Sequence, residues 1–322
     1  MNINKIFRKT YLLKRLIKYI LLKKRESFPR LLSIELTNAC NSDCIMCPRS
    51  KLTRKITQMD FDLFKKTIDD CKGHRLRKIN LFWFGETFIY PKLPAAIKYI
   101  KEGLPKTKVN ISTNGALVNG EIAEKIIDSG LDTLNFDIDG ATKQTFESIR
   151  RNLNFEQVTE NVKNFMTIRK KLEKKKPRVS VTIIKMDKTV GEIDSFINYW
   201  KDIVDHVGVN DYNTWLGTVE DLNVGEKKEK SSTGKFTFPC DHPFNELAIA
   251  VDGRATMCCL DSDCSEVMGN LKENSIKEIW TGEKIIEKRQ LLIENKYDQI
   301  QICKNCNSFI FQERSVWANV WQ

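Results

Sequence analysis

The placement of the cysteines constrains this 322-residue chain more than any other feature: all but one of the ten fall into two groups near opposite ends. Cys40, Cys44 and Cys47 lie within the run Cys40-Asn-Ser-Asp-Cys44-Ile-Met-Cys47, and Cys240, Cys258, Cys259, Cys264, Cys303 and Cys306 occupy the last quarter. Cys71 stands alone in a helical stretch and reads as a small buried apolar residue. This is far sparser than the roughly 8–10% cysteine of a disulfide-stapled secreted scaffold, and clustered thiols in a chain of this size point to metal. Three thiolates at the first spacing can hold three corners of a cubane iron–sulfur cluster and leave its fourth iron without a protein ligand. A closed zinc site would want a fourth ligand nearby, and none follows Cys47 closely. In the second group, Cys303-Lys-Asn-Cys306 has the spacing of a metal knuckle. Its expected partners are Cys240 and one of Cys258 and Cys259, because neighbours on a strand point to opposite faces. A four-cysteine zinc ribbon would use the same ligands and stays open as an alternative there.

Composition narrows the rest. No run approaches the roughly 18 apolar residues of a spanning helix. The N-terminus lacks a signal peptide's continuous apolar stretch and small-residue cleavage site, so a cytoplasmic location is expected. The net charge of +11 is concentrated in residues 1–30, which carry ten Lys and Arg against the single acid Glu26. The body is nearly neutral and shows no basic stripe, so no nucleic-acid partner is expected. Ile6, Leu13, Ile17 and Ile20 recur at helical spacing among the bases. They describe an amphipathic helix lying peripherally on an anionic membrane surface, or one packed on its own domain.

Between the cysteine groups, strand-like and helix-like segments alternate. Strands are predicted at Leu32–Leu36, Ile79–Phe84, Val109–Ser112, Thr133–Asp137, Val179–Ile184 and Val207–Asn210. Helices are predicted at Asp60–Cys71, Pro94–Glu102, Glu121–Asp128, Phe155–Leu172 and Glu192–Asp202. The expected fold class is therefore α/β, with a parallel sheet that is open or curled into a partial (β/α)6 barrel. Residues 225–239 read as a linker. After it, Leu247–Val251 and Ala255–Met257 flank Asp252-Gly253 as a hairpin, followed by a helix around Ile276–Leu292. A small C-terminal β-hairpin and helix domain, rich in cysteine, is expected over 240–322.

The run Leu36-Thr37-Asn38-Ala39-Cys40 through Cys47-Pro48-Arg49 resembles the signature of radical S-adenosylmethionine (radical SAM) enzymes, and residues 31–224 would be the core. The resemblance continues at Gly85-Glu86 after the second strand, Thr113-Asn114-Gly115 after the third and Asp137-Ile138-Asp139-Gly140 after the fourth. Each falls at the carboxyl end of its strand, the edge where sites form in parallel α/β folds. The resemblance implies a [4Fe-4S] cluster on Cys40, Cys44 and Cys47 that binds S-adenosylmethionine. It also implies cofactor contacts from Met46, Gly85, Glu86, Thr113, Asn114, Asp137 and Asp139. Three positions depart from the family: Phe84-Gly85-Glu86-Thr87 replaces Gly-Gly-Glu-Pro, Asp137 stands for a common Ser, and Met46 for an aromatic residue.

The region from Cys240 to Cys306 resembles the SPASM/twitch extension of the same family. That resemblance implies one auxiliary [4Fe-4S] cluster on Cys240, Cys258, Cys303 and Cys306, with Cys258 chosen by its spacing from Cys240. The implied chemistry is reductive cleavage of S-adenosylmethionine to a 5′-deoxyadenosyl radical and hydrogen abstraction from a substrate, leading to dehydrogenation or epimerisation. An electron donor of flavodoxin or ferredoxin type is implied as partner. For epimerisation, Cys259 and Cys264 are the candidate thiols. Only 39 residues precede Cys40, fewer than a peptide-clasp domain takes. A small or lipid-linked substrate, such as a sugar of surface polysaccharide synthesis, is therefore expected over a peptide. The alternatives are a peptide-modifying SPASM maturase and a non-catalytic iron–sulfur or zinc protein for electron transfer or scaffolding.

Overall fold

The structure is a computed structural model and describes residues 27–222, 240–304 and 306. The expected basic helix, apart from residues 27–30, and the expected linker 225–239 lie outside the described residues.

The chain opens with β1 (Leu31–Ile34), a long loop containing β2 (Asp43–Cys44), and α1 (Phe61–Asp69). Alternating units follow: β3 (Lys78–Asn80), α2 (Leu93–Gly103), β4 (Lys108–Thr113), α3 (Gly120–Asp128) and β5 (Thr133–Asp137). Next, α4 (Lys143–Ile149) runs directly into β6 (Arg150–Arg151), ahead of α5 (Phe155–Lys171), β7 (Arg178–Lys185), α6 (Ile193–Trp200) and β8 (His206–Asp211). Beyond residue 240 come α7 (His242–Asn245), β9 (Glu246–Ile249), β10 (Arg254–Thr256), β11 (Val267–Asn270), α8 (Ile276–Thr281) and α9 (Glu283–Ile293). Helices begin where a short polar side chain satisfies the first free amides: Asp60 accepts from two amides of α1, Asn119 caps α3, and Asn154 caps α5.

The strands β1, β3, β4, β5, β7 and β8 pair in parallel in that order, as the alternating pattern requires. Among the described residues no pairing joins β8 back to β1. The other edge of β1 is taken by β9, again in parallel, with Leu31 opposite Glu246 and Ile34 opposite Ile249. Antiparallel β10 and β11 complete a nine-stranded sheet. The C-terminal hairpin, expected as part of a small separate unit, thus continues the sheet of the core. Every residue of β9 is buried, which suits a strand with neighbours on both sides.

Three local expectations are corrected. The strand expected to reach Phe84 ends at Asn80, and the chain beyond it folds back so that the Thr87 hydroxyl donates to the Leu81 carbonyl at 2.7 Å. The helix expected around Ile276–Leu292 divides at Gly282, whose backbone is extended. The short α4 and the β2–β6 pair have no counterpart among the predicted elements, because neither is long enough to show a period.

The strands alternate in a way unusual for a parallel sheet, where coverage on both faces normally makes strands continuously apolar. Leu32, Ile79, Val109, Leu134, Phe136 and Val181 are fully buried on one face under the helices. Their neighbours Asn80, Asn110, Ser112, Asn135 and Thr182 are polar and only half-buried. Asn135 Nδ2 donates across strands to Ser112 Oγ at 3.1 Å and Thr182 Oγ1 at 3.0 Å, while Ser180 Oγ donates to Asn135 Oδ1 at 2.8 Å. The inner face of the sheet is therefore a hydrogen-bonding surface, unlike the branched apolar filling of a packed barrel.

One buried ion pair ties the core to the C-terminal hairpin. Arg54 Nη1 and Nη2 donate to Glu35 Oε2 and Oε1 at 2.6 and 2.9 Å, and both side chains are essentially inaccessible. Arg54 Nε also donates to the Ser262 carbonyl, and Val251 N donates to Glu35 Oε2. Arg54→Met is expected to cost about 3–5 kcal/mol, because it leaves a buried carboxylate uncompensated. A urea-unfolding midpoint measures the loss, and Glu35→Gln added to Arg54→Met is expected to recover part of it.

Candidate active site

The first three thiols converge in the loop after β1. The Ser42 hydroxyl lies 3.3 Å from Cys40 Sγ and 3.4 Å from Cys44 Sγ, spanning the two. Cys44 is held in β2 opposite Arg150 of β6, and Cys47 N donates back to the Cys44 carbonyl at 3.0 Å. Burial pushes the Cys44 thiol up and the Cys47 thiol to about 12, so iron is what would hold these sulfurs as thiolates. All ten cysteines are thiols. Among the described residues, the one set of three or more candidate ligand side chains with donor atoms all within 4.8 Å is His242, Glu246 and Cys259. At least one pair of the three loop sulfurs therefore lies more than 4.8 Å apart, against roughly 3.8 Å between sulfurs on one tetrahedral zinc with Zn–S of about 2.3 Å.

The loop is stitched to the carboxyl ends of β3 and β4. Glu86 N donates to the Ala39 carbonyl at 2.8 Å. A Cβ on Gly85 would lie 2.1 Å from the Thr37 carbonyl oxygen and 2.8 Å from that of Ala39, so only glycine fits. The Glu86 carboxylate is buried and accepts from Phe88 N at 3.0 Å, Thr113 Oγ1 at 2.8 Å and Asn114 N at 2.8 Å. Burial still raises its pKa against these three donors, so a cation brought to it gains more than it would in water. Asn114 Nδ2 donates to Asn41 Oδ1 at 2.8 Å, inside the cysteine loop. Gly85, Glu86, Thr113 and Asn114 thus form one network around Cys40.

The second set also comes together. Cys240, Cys258, Cys303 and Cys306 line one cavity, whose other walls are His242 and the apolar side chains of Leu216, Pro243, Met257, Leu260, Leu292 and Ile302. Four thiols in a chamber that is apolar apart from His242 form a donor set suited to an iron–sulfur cluster. Strand alternation does not separate Cys258 from Cys259, because β10 ends at Thr256. The side chains of this pair touch instead, and that contact, ahead of burial, raises the Cys258 thiol.

The model of the Radical SAM superfamily matches residues 34–199, and that of an iron–sulfur cluster-binding domain, SPASM, matches residues 240–307. This chain belongs to the radical SAM superfamily. It binds a [4Fe-4S] cluster with S-adenosylmethionine and, through its SPASM region, auxiliary iron–sulfur chemistry. It is 32% identical to a GTP 3′,8-cyclase of Chlorobaculum tepidum over 126 residues, a match spanning 39% of this chain but only 38% of that protein. It is 22% identical over 284 residues to the S-adenosyl-L-methionine-dependent 2-deoxy-scyllo-inosamine dehydrogenase of Niallia circulans, covering 88% of this chain and 94% of the relative. Among solved structures, BtrN in complex with AdoMet and 2-DOIA superimposes with a TM-score of 0.58 at 18% identity, covering 88% and 94% of the two chains. Streptococcus suis SuiB bound to precursor peptide SuiA gives 0.66 at 13% identity, covering 88% and 71%. Likenesses at that identity establish the fold.

Within this radical SAM core the remaining predicted residues have distinct surroundings. Asp137 is half-buried at the end of β5 and accepts from Ser112 Oγ at 2.7 Å, Asn135 Nδ2 at 2.6 Å and Thr182 Oγ1 at 2.9 Å. Asp139 is buried and committed elsewhere: Arg150 Nε and Nη2 reach Oδ2 at 2.9 and 2.7 Å, and Ile184 N donates to Oδ1 at 2.7 Å. Its observed task is to hold Arg150, whose Nη1 lies 3.9 Å from Cys44 Sγ. Met46 is buried in an apolar cluster with Ile149, Met186, Tyr212 and Val219. Cys264 is 4% exposed and burial pushes its thiol to about 12.

Sequence reasoning missed an aromatic wall. Phe84 packs edge-on against Trp215 at 5.1 Å and at a 40° tilt against Trp83 at 5.1 Å, and Trp83 Nε1 donates to the Cys259 carbonyl. Trp215 also packs on the Met46 cluster, while its neighbour Leu216 lines the four-cysteine cavity. Phe84, next to a motif glycine, was the available signal. Trp215 carries none, because it meets the others only through the fold.

Gly85→Ala is expected to reduce S-adenosylmethionine affinity at least tenfold in the iron-loaded protein. The added methyl collides with backbone rather than with a flexible side chain and drives the cysteine loop from Glu86. Equilibrium binding measured anaerobically checks this, with circular dichroism confirming that the sheet persists.

Proposed function

We propose that this protein is a radical SAM dehydrogenase of a small, hydroxyl-rich substrate such as a sugar or aminocyclitol, free or lipid-carried. In this reading Cys40, Cys44 and Cys47 hold the cluster that binds S-adenosylmethionine, and Cys240, Cys258, Cys303 and Cys306 hold the auxiliary cluster. When bound, these groups supply a 5′-deoxyadenosyl radical that removes a hydrogen atom and an acceptor for the electron left behind. The observation that supports this reading is the contact of Trp215 with the Met46 cluster while its sequence neighbour Leu216 lines the four-cysteine chamber.

The chain's own residues supply recognition and exclusion of water. Glu86 receives the methionine ammonium, and Asp137 accepts from ribose. Asp139 fixes Arg150 beside Cys44. The polar inner face, with Asn80, Asn110 and Asn135, offers donors and acceptors that match hydroxyl groups better than apolar side chains. Phe84 and Trp215 shield the reacting region. The 2-deoxy-scyllo-inosamine dehydrogenase that is similar over most of the chain supports the same class.

Dehydrogenation is favoured over epimerisation by the similar 2-deoxy-scyllo-inosamine dehydrogenase and by the burial of one of the two spare thiols. Cys264 is sealed beside Arg54, and Cys259 lies among His242, Glu246 and Cys258. Cys264 therefore presents no sulfur to the polar face, as a returning hydrogen donor must, whereas Cys259 stands beside Glu246, which reaches Asn80 of that face through Ser33, so its variant is the one that separates the two reactions.

Anaerobic reconstitution followed by incubation with candidate sugars and amino-polyols tests the reading. The expected result is about eight irons per chain, for two cubane clusters, with 5′-deoxyadenosine and oxidised product formed in equal amounts. Cys258→Ala is expected to lose about half the iron and all oxidised product while still cleaving S-adenosylmethionine. Cys259→Ala and Cys264→Ala are expected to turn over within a few-fold of the parent. Loss of product in either, with iron intact, would replace dehydrogenation by thiol-dependent epimerisation.

A further inference from the structure

Charge that the sequence scatters is gathered by the loops that enter the strands. Arg77 N donates to the Arg30 carbonyl at 2.9 Å, Lys108 N to the Arg77 carbonyl at 3.0 Å, and Arg178 N to the Asp132 carbonyl at 2.9 Å. These bonds run along the amino edge of the parallel sheet, opposite the edge that carries Cys40, Glu86 and Asn114. Arg75, Arg77, Lys106, Lys108, Lys175 and Arg178 are all exposed there, although they come from three distant segments of the chain. None of the six forms an ion pair among the described residues, whereas neighbouring bases do: Lys101 and Lys176 pair with Asp132, and Arg169 with Asp205. Against the six, the exposed acids Glu102, Glu173 and Asp202 have no ion pair either, so the balance stays positive. A body that is nearly neutral in sequence thus presents a basic face.

Two further features belong to this edge. A groove between α5 and the segment leading into β8 is lined by Met166 and Ile203 as well as by Arg169, Lys170 and Lys174, so apolar and cationic side chains share its walls. β1 also starts here, so the basic run of residues 1–26 joins the described chain at the same edge. We propose that the amino edge of the sheet is a docking face for a membrane surface rich in anionic phospholipid. Acidic headgroups match the six unpaired cations, each of which contributes about a fivefold gain in binding. Ile6, Leu13, Ile17 and Ile20, set among the first bases, suit an acyl boundary and have no use against a phosphodiester chain. Loops 70–77, 104–107 and 172–177 contain no Trp, Tyr or Phe on which a nucleic-acid base could stack. An acidic electron-transfer protein is poorly served here, because the six residues of β4, at ~3.3 Å each, separate this edge from the first three thiols. Docked this way, the chain turns its thiol-bearing loop away from the lipid and toward a soluble electron donor. The inference rests on charge and topology and holds whichever reaction the site performs.

The test is sedimentation of the full chain with phosphatidylcholine vesicles containing about 30% phosphatidylserine, against vesicles of phosphatidylcholine alone, at about 0.1 M salt. The parent is expected to bind the anionic vesicles and not the neutral ones. Arg75→Gln, Arg77→Gln, Lys175→Gln and Arg178→Gln together are expected to weaken that partition at least about a hundredfold, with the circular dichroism spectrum and S-adenosylmethionine cleavage kept. Removing the same charge elsewhere, by Lys98→Gln, Lys188→Gln, Lys277→Gln and Lys284→Gln, is expected to weaken it less than about tenfold. Equal losses in the two variants would reduce the effect to net charge and overturn the proposal. So would an unchanged partition in the edge variant, which leaves binding to residues 1–26 alone, or a parent that ignores anionic vesicles. Tighter binding of the parent to a DNA duplex at the same salt, lost in the edge variant, makes the occupant a nucleic acid and also overturns it.

Discussion

The contact on which the site depends is the approach of two backbones at the carboxyl edge of the sheet. The loop after β1 and the loop after β3 touch where Gly85 meets Thr37 and Ala39, with no room for a Cβ. One amide, Glu86 N, is spent on the Ala39 carbonyl. This seam sets the distance between the thiol-bearing loop and the carboxylate that follows it, and Thr113 and Asn114 lock that distance from β4. A parallel sheet makes this economical: every strand delivers its loop to the same edge, so short motifs far apart in the chain become neighbours.

The inner face carries the second constraint. In a sheet covered on both sides, alternation of polar and apolar residues would leave buried polar groups without partners. Here most of the polar residues satisfy one another across strands, with Asn80 Oδ1 the exception, a buried oxygen without a partner. Asn135 alone touches Ser112, Asp137 and Thr182 through its amide nitrogen and Ser180 through its oxygen. Apart from the buried Ser180, the members of this network remain only half-buried. Asp139 shows the opposite outcome: although it lies in a motif, its carboxylate is consumed by Arg150 and Ile184, and its influence passes through the guanidinium beside Cys44.

The C-terminal region is joined to the core by hydrogen-bonded strands and by buried charge. β9 pairs with β1, Arg54 reaches from the thiol-bearing loop to Glu35 and Ser262, and Trp83 bonds the Cys259 carbonyl. The four-cysteine cavity consequently shares walls with the core, through Leu216, and does not hang from a linker.

Much of this was legible before the fold. The thiol spacings, the Gly-Glu pair and Thr113-Asn114 at strand ends, and the six alternating strands are local patterns, and local patterns survive in one dimension because they reflect backbone geometry and ligand reach. The partners of those residues were not legible. Nothing within a short window relates Glu35 to Arg54's distant contact at Ser262, Trp215 to Phe84, or Ser33 to Glu246, since each pair is made by strand order and register. Cys258 and Cys259 illustrate the boundary: alternation would have parted them, but the strand ends at Thr256 and the following turn brings their sulfurs together. Sequence alone thus determined the chemistry the chain carries, through residue types at metal-binding and strand-end spacings. Tertiary structure alone decided which side chains face the cofactors and which merely brace them, because that depends on close packing between segments that meet only once the sheet has formed.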